Sequence, residues 1–587
     1  MSRTLSPITW SGPYRDAVDL DRALGDPRDP VSNFGFASMV ERDEAETYPG
    51  ALAAKADPML RTAFLPGGRT ADDTMMIVRA IGRRDVTVMP ATMFSITAAT
   101  CVLLSGSEPQ RDRVRRLLAD GSSIGFALSE SEHGSDLLAN QCVAEPLDGG
   151  GFRLRGEKWL VGSGGRCAAL LLVARTGGRG PSAFSCFLLD GRPLRSARVA
   201  APQRTIGMRG IDFAGFRFDG TRIPQSTLVG TVGRGLETAM KAMQVVRVTG
   251  TAANLACADT ALRLALDFAT EHVVGGRTLV DHPQTQADLG TAFTALLAGD
   301  AVALSAARAL HTLPGAQSLW SSVTKKVLAD LSDEVLDRCG DVLGTRSVLR
   351  DGRFAAFDVI RRDNRVVRHI DTGPTANTRL VAMQLGQIVT ARLGLAGADL
   401  APTFALDADL PPLRLSELEL STRGRDEVTA ALPSITAFAK AALDGDEHAI
   451  RASKAMSSVQ AALAMLREDA LGSLGRRGSE AAVELVEFAE RFCYLHAAAR
   501  CVHLWWFNRH LPLAGLPPGT ASWLWPVLEL LLDRAHQRHR RLTRAALPAT
   551  VALARRLHGS GRLFSLVPLP MAESSSSTVE GLAAWPA

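Results

Sequence analysis

Between Phe126 and Arg175 the chain reads FALSESEHGSDLLANQCVAEPLDGGGFRLRGEKWLVGSGGRCAALLLVAR. Hydroxyl side chains, Ser129, Ser135 and Ser163, stand close to glycines, Gly134 and Gly162. Glycine lets a backbone approach a flat or phosphorylated ligand closely, and hydroxyls and N–H groups are left to donate to it. The same Gly-Ser turns also punctuate ordinary loops, so turn chemistry alone leaves both readings open. Other chemistries are poorly supplied. The eight cysteines, Cys101, Cys142, Cys167, Cys186, Cys257, Cys339, Cys493 and Cys501, form no CxxC pair and no Cys/His ligand spacing. No metal site and no disulfide framework is expected from them. Gly230-x-x-Gly233-Arg-Gly235 lacks GxGxxG spacing and reads as the opening of a helix.

The elements that must position these residues fall into blocks. Residues 1–30 are rich in Pro, Gly and Asp and read as an extended arm. Residues 31–121 are helical in pattern, with Thr70 and Asp73 set to cap one helix and Gly106–Gln110 to open another. Residues 122–232 alternate like sheet: Phe152 and Leu154 sit in a strand, Asp148-Gly149 marks a hairpin turn, and Leu170–Ala174 reads as a buried strand. Residues 233–392 carry long amphipathic helices broken near Gly275-Gly276, Pro314-Gly315 and Gly344. Residues 393–572 form an additional helical domain, separated by a linker at Pro411-Pro412, and 573–587 read as a disordered tail.

Composition bounds the class. A chain of 587 residues is too long for one core, and 46% apolar with 22% charged residues is the balance of a globular protein. A net charge of +5 gives no domain-wide basic excess, so nucleic acid is not an expected partner. The first residues lack an apolar signal core, and no run reaches about 18 apolar residues; a cytoplasmic protein is expected. Near the end, Cys501–His510 (CVHLWWFNRH), Trp523, Trp525 and a set of arginines from Arg534 to Arg544 could lie on a membrane surface. The same pattern fits a core helix followed by a solvated basic one.

FALSESEHGSD, GEKWLVGSGG and LLLVAR, in that order and spacing, resemble the central β-domain of the acyl-CoA dehydrogenase family. There the pattern is aromatic-x-x-Thr/Ser-Glu-x-x-x-Gly-Ser-Asp, then Gly-x-Lys-x-Trp-Ile-Thr-Asn, then an apolar strand ending in Ala-Arg. The resemblance covers about residues 30–392 and implies an α+β fold: an N-terminal helical domain, a central β-barrel or sandwich, and a C-terminal four-helix bundle. The helices after 392 would be extra. It also implies FAD and the α,β-desaturation of an acyl thioester, in which a carboxylate removes the α-proton in a dry pocket.

Residue by residue, the resemblance places Phe126, Leu128 and Ser129 along the flavin ring and Gly134 and Ser135 near its phosphates and the substrate. Gly162 stands where the family has a Thr near the flavin N5 and Leu160 where it has Trp. Trp159 lies one position early, and Ser163, one position late, could restore the hydroxyl if the strand shifts. His272 replaces an Arg that meets the diphosphate from a neighbouring subunit, and Gly344 matches a turn beside the adenosine. The base is carried onto Arg362–Thr375: counting from Arg362-Asp363 puts it at Asp371, with Ile370 for the usual Tyr, whereas anchoring on Gly373 puts Thr372 there and leaves no base. Asp371 capping a turn with Thr372 is the bland alternative. Val246, before Arg247, leaves the family's second base position empty, and Arg247 is expected to structure the substrate pocket.

Three functions compete on these residues. The first is an FAD-dependent oxidoreductase on a CoA or carrier-protein thioester, passing electrons to an electron-transfer flavoprotein or O2, and acting as a homodimer. The second is a divergent biosynthetic flavin oxidase or monooxygenase, such as a decarboxylating, epoxide-forming enzyme, on a peptide or polyketide intermediate. The third is a non-catalytic scaffold.

Overall fold

The computed structural model describes residues 12–63, 65, 68–391, 399–443, 445–475 and 479–572. The 573–587 tail and the boundary at 392/393 lie outside them. Helices and one sheet alternate along the chain in the expected order. Thr70 accepts from the Asp73 N–H and starts the helix Ala71–Gly82, and Ser107 and Gln110 form a capping box at Glu108–Ala119. The arm is different: Arg15–Leu24 is a helix whose Ala17, Val18, Leu20 and Leu24 are buried. Its apolar residues recur at helical spacing, and burial of that stripe outweighs the Pro- and Asp-rich flanks.

The sheet comprises β1 (Ile124–Ala127), β2 (Val143–Pro146), β3 (Phe152–Gly162), β4 (Ala169–Arg175), β5 (Phe184–Asp190), β6 (Arg198–Ala200), β7 (Phe213–Ile223) and β8 (Leu228–Val229). Its order is β6-β7-β3-β2-β4-β5-β8, with β1 parallel on β4. Phe152, Leu154, Phe216 and Phe218 of the β3/β7 half share one core with Leu170, Leu172, Phe187 and Leu189 of the β4/β5 half. The sheet therefore folds over its own apolar face. Its other face meets the helix Val88–Ser105, which packs on β1 and on the helix Gly235–Gly250.

Behind the sheet stand the helices Gly235–Gly250, Ala252–Glu271, Pro283–Thr312, Gln317–Leu343, Ala355–His369 and Pro374–Thr390. Between the second and third, β9 (Val273–Val274) and β10 (Arg277–Thr278) make a short exposed hairpin. The later helices Glu427–Ala442, Glu447–Ser473, Ser479–Phe507, Leu524–Ala535 and Leu547–Gly559 do not build a core of their own. Ser479–Phe507 packs against three of the bundle helices, and the apolar residues of both blocks merge into one cluster. The Pro411 region is bound rather than free: His311 Nδ1 meets the Pro411 carbonyl at 2.8 Å, and Arg308 Nη2 donates to the carbonyls of Pro402, Ala405 and Ala408. Trp505, Trp523 and Trp525 are buried, which makes the C-terminal aromatic segment core and not a membrane surface. Val88–Ser105 and Pro283–Thr312 are long and apolar enough to cross a membrane, yet both lie mostly in the interior.

Candidate active site

Asp371 follows directly on a helix end. Ala355–His369 stops, the Ile370 N–H still reaches the Val366 carbonyl, and Asp371 then turns to φ 69°. Asp is among the few residues that accept this left-handed conformation readily. Pro374 at the start of the next helix fixes where the chain resumes.

The turn aims the Asp371 carboxylate at Arg247, whose Nε donates to Oδ2 at 2.6 Å. Thr372 Oγ1 donates to the same oxygen at 3.0 Å, and Asn377 Nδ2 donates in turn to Thr372 Oγ1 at 3.0 Å. Oδ2 is therefore taken up, while among the described residues no group donates to Oδ1. With side-chain exposures of 2% for Arg247 and 12% for Asp371, solvent screens the pair weakly. Arg247 Nη1 also reaches Ser321 Oγ at 3.4 Å, and its buried Nη2 has no partner among the described residues. Val246 is buried and Ile370 half-buried beside this pair. The Thr372 hydroxyl is committed to Asp371 and Asn377, so the carboxylate is the group here able to take a proton. Gly373 serves the same turn, its carbonyl accepting from Asn377 Nδ2 at 3.0 Å.

A second group forms at the end of the sheet. Lys158 Nζ donates to the Leu128 carbonyl and to Glu130 Oε1, both at 2.8 Å, and Asn140 Nδ2 donates to the same carbonyl. Burial opposes the charge on Glu130, but the Lys158 ammonium and the backbone N–H groups of Gln141 and Cys142 outweigh it and hold the carboxyl below its ordinary range. This fixes the segment Phe126–Glu130, with Phe126 and Leu128 buried and Ser129 half-buried, its carbonyl accepting from the Trp159 N–H. Gly134 and Ser135 lie exposed on the surface turn that follows.

A register shift in β3 precedes Ser163. Lys158 pairs with Phe216 and Val161 with Ala214, so Trp159 and Leu160 together oppose Gly215: a β-bulge, with Leu160 at φ 52°. Ser163 Oγ is buried with no partner among the described residues. Gly162 is covered by Phe94; a Cβ there would fall 2.0 Å from Phe94 Cδ2. The helix Val88–Ser105 carries this ring and joins the two groups, since the neighbouring Met93 Sδ accepts from Thr249 Oγ1, two residues beyond Arg247, at 3.9 Å.

His272 and Gly344 do not join them. His272 stacks on Phe268 with centroids 4.7 Å apart, and Arg346, two residues past Gly344, places its guanidinium 4.6 Å from the centroid of the same Phe268 ring. They sit at the C-terminal end of the 20-residue helix Ala252–Glu271, which is roughly 30 Å long at 1.5 Å per residue, whereas Arg247 belongs to the helix that precedes its N-terminal end. One ligand contacting both ends within one chain would have to run the length of that helix.

Residues 125–221 match the model of the acyl-CoA dehydrogenase middle domain, and residues 233–384 that of the acyl-CoA dehydrogenase C-terminal domain. The chain belongs to the acyl-CoA dehydrogenase family. It is 25% identical over 285 residues to the probable acyl-CoA dehydrogenase FadE25 of Mycobacterium tuberculosis (strain ATCC 25618 / H37Rv), covering 46% of this chain and 73% of that one. Among solved structures, butyryl-CoA dehydrogenase from Megasphaera elsdenii superposes with a TM-score of 0.58 at 18% identity, over 66% of this chain and 100% of the other. The prolyl acyl carrier protein oxidase AnaB gives 0.56 at 16% identity (64% and 99%), and an FAD complex of PigA gives 0.56 at 18% identity (66% and 99%). These structural likenesses establish the acyl-CoA dehydrogenase fold, and the extra helices after residue 399 are additions to it.

As a member of this family the chain is an acyl-CoA dehydrogenase-like flavoenzyme with FAD as its cofactor. The residues present fit such a group at the sheet end. The buried, unpartnered Ser163 Oγ is a donor awaiting an acceptor, and half-exposed Phe94, Trp159 and Leu160 supply an apolar wall. Reading the sequence missed Phe94, Ser321 and Asn377. Each acts through a partner far along the chain or across a turn, and no local motif marks it.

Proposed function

We propose that this acyl-CoA dehydrogenase-like protein oxidises an acyl thioester, with Asp371 as the base that removes the α-proton. The observation that supports this most is the Arg247–Asp371 pair, formed by residues 124 apart, with Oδ2 held and Oδ1 open. The α C–H bond breaks and its proton passes to Oδ1, while the electron pair stays on the substrate. FAD, when bound, supplies the acceptor for the hydride that leaves the β-carbon. Arg247 holds the carboxylate in one orientation; Ile370 and Val246 exclude water beside it, which keeps the proton transfer direct. Phe126, Leu128, Ser129, Trp159 and Ser163 are the residues we assign to the ring. The distance of His272 and Gly344 from these residues favours a second copy of the chain supplying the remote contacts, as in a homodimer.

One feature supports a different electron acceptor. Gly162 carries no hydroxyl and is sealed by Phe94, a local chemistry unlike the family pattern, and the fold of AnaB, a carrier-protein oxidase, superposes as well as that of the dehydrogenases. On that reading O2 replaces the flavoprotein partner and the thioester is carrier-bound. The test is exchange of the α-proton in D2O with butyryl-CoA and with acylated carrier protein, followed by mass spectrometry. Asp371→Asn is expected to slow exchange at least ~100-fold. Wild-type exchange unchanged in that variant would remove Asp371 as the base.

A further inference from the structure

The helix Gln317–Leu343 grips both halves of the Arg247–Asp371 pair from one face. Ser321 Oγ accepts from Arg247 Nη1 at 3.4 Å. Four residues on, and so directly above it on the helix surface, Lys325 Nζ donates to the Val367 carbonyl at 2.6 Å. Val367 is in the last turn of Ala355–His369, where carbonyls have lost their helical partners. The chain leaves that helix at Ile370 and turns left-handed at Asp371. Lys325 therefore holds the peptide from which the candidate base departs.

We propose that Lys325 is a positioning residue for Asp371, fixing the end of the Ala355–His369 helix so that the carboxylate meets Arg247. This inference rests on the reading of Asp371 as the base. Three features set Lys325 apart from an ordinary helix lysine. It is 4% exposed, its ammonium donates to a backbone carbonyl, and its neighbour Lys326 points elsewhere, to Asp330 and Glu490. Burial pushes its ammonium down to about 8, with Asp371 opposing and Arg247 and Arg368 adding to the shift. The groups facing it are thus Asp371, Arg247 and Arg368, together with exposed His369, which is itself lowered by burial and by Arg368, Lys325 and Arg365. Below that midpoint the bond to Val367 is charge-assisted; above it a weaker neutral amine remains. The turn should loosen as pH rises through about 8.

Two measurements test this. The first is kcat against pH from 6.5 to 10 with butyryl-CoA on the FAD-loaded protein. Wild type should lose rate on the alkaline side with a midpoint near 8. Lys325→Met should show a flat profile, with kcat roughly tenfold lower at pH 7 and KM little changed. A Lys325→Met profile that keeps the wild-type alkaline limb overturns the proposal. The second measurement needs no turnover: side-chain 15N NMR of the intact protein, which has only seven lysines. One resonance should titrate near 8, vanish in Lys325→Met, and titrate lower in Asp371→Asn, because the anion that raises it is gone. A midpoint unmoved by Asp371→Asn overturns the coupling. If wild type exchanges no α-proton from any thioester while this lysine still responds to Asp371→Asn, the assigned reaction fails and the clamp stands.

Discussion

Gly162 and Phe94 form a matched pair whose meaning lies in sterics. A side chain at 162 would place Cβ 2.0 Å from Phe94 Cδ2 and 2.5 Å from Cε2, distances no relaxed structure accommodates. The ring cannot retreat freely, since it packs edge-on against Phe213 with centroids 6.3 Å apart. Gly162→Thr should therefore overpack the junction and lower stability by about 1–3 kcal/mol. Phe94→Ala in the same chain should recover part of that loss. Urea midpoints of the two single variants and the double variant measure the coupling; strictly additive effects would show that the ring and the glycine are not a pair. FAD content of the purified variants reports whether the same ring also lines the cofactor site.

At the scale of elements, the Ser479–Phe507 helix is held to the bundle by buried polar anchors as well as apolar contact. Arg500 is fully buried, donating to Ser305 Oγ, Thr324 Oγ1 and the Val302 carbonyl, with its guanidinium 4.4 Å from the Trp320 ring centroid. Burial pushes it down to about 9, against Cys501 and Asp426. His503 meets the Val428 carbonyl through Nε2 at 2.9 Å and stacks on Phe404. Burial lowers His503 to about 4, so the folded chain holds it neutral while the unfolded chain protonates near 6.5. The unfolded state then binds more protons between those values, and stability falls as pH drops from about 6.5 toward 4. Between pH 7 and pH 5 this one group should remove roughly 1–2 kcal/mol. His503→Leu should flatten that acid slope by the same amount in urea titrations at the two pH values. An unchanged slope would mean His503 carries its proton inside the fold.

Across the whole molecule, the returning segment Arg562–Ala572 closes a buried charge cluster. Arg79, Arg83, Arg84 and Arg263 face Asp21, Asp259 and Asp300, all at 5% exposure or less. The segment adds hydrogen bonds to the cluster: Asp300 accepts from Ser565 Oγ and the Leu566 N–H, Asp259 from the Phe564 N–H, and Asp21 from the Ala572 N–H. Arg79 and Arg263 donate to the carbonyls of Phe564 and Arg562. Buried ions are tolerable only while paired, so removing one member leaves its partner uncompensated. Asp300→Ala should cost about 3–5 kcal/mol. Ending the chain at Gly561 should lower the melting temperature further and open the N-terminal helices to proteolysis. A truncated chain that melts with wild type would show that the cluster is satisfied without the segment.

Much was legible in the sequence because it is local. FALSESEHGSD and GEKWLVGSGG mark the sheet and its family, and the capping residues Thr70, Ser107 and Gln110 place helix starts by hydrogen bonds within four residues. Glycine and proline breaks near 275, 314 and 344 separate the helices for the same reason. Counting from Arg362-Asp363 brought Asp371 forward beside Thr372, both of which fall in the turn that follows the helix Ala355–His369. What required the tertiary structure is whatever depends on partners distant in sequence. The Arg247–Asp371 pair spans 124 residues, and the Lys325–Val367 bond spans 42. The bulge at Trp159-Leu160 becomes visible only against β7, and Phe94 matters only because another element leaves a slot at Gly162. The later helices look separable in sequence, yet they share a core with the bundle, because burial is decided by which apolar faces meet in space and not by the linker between them.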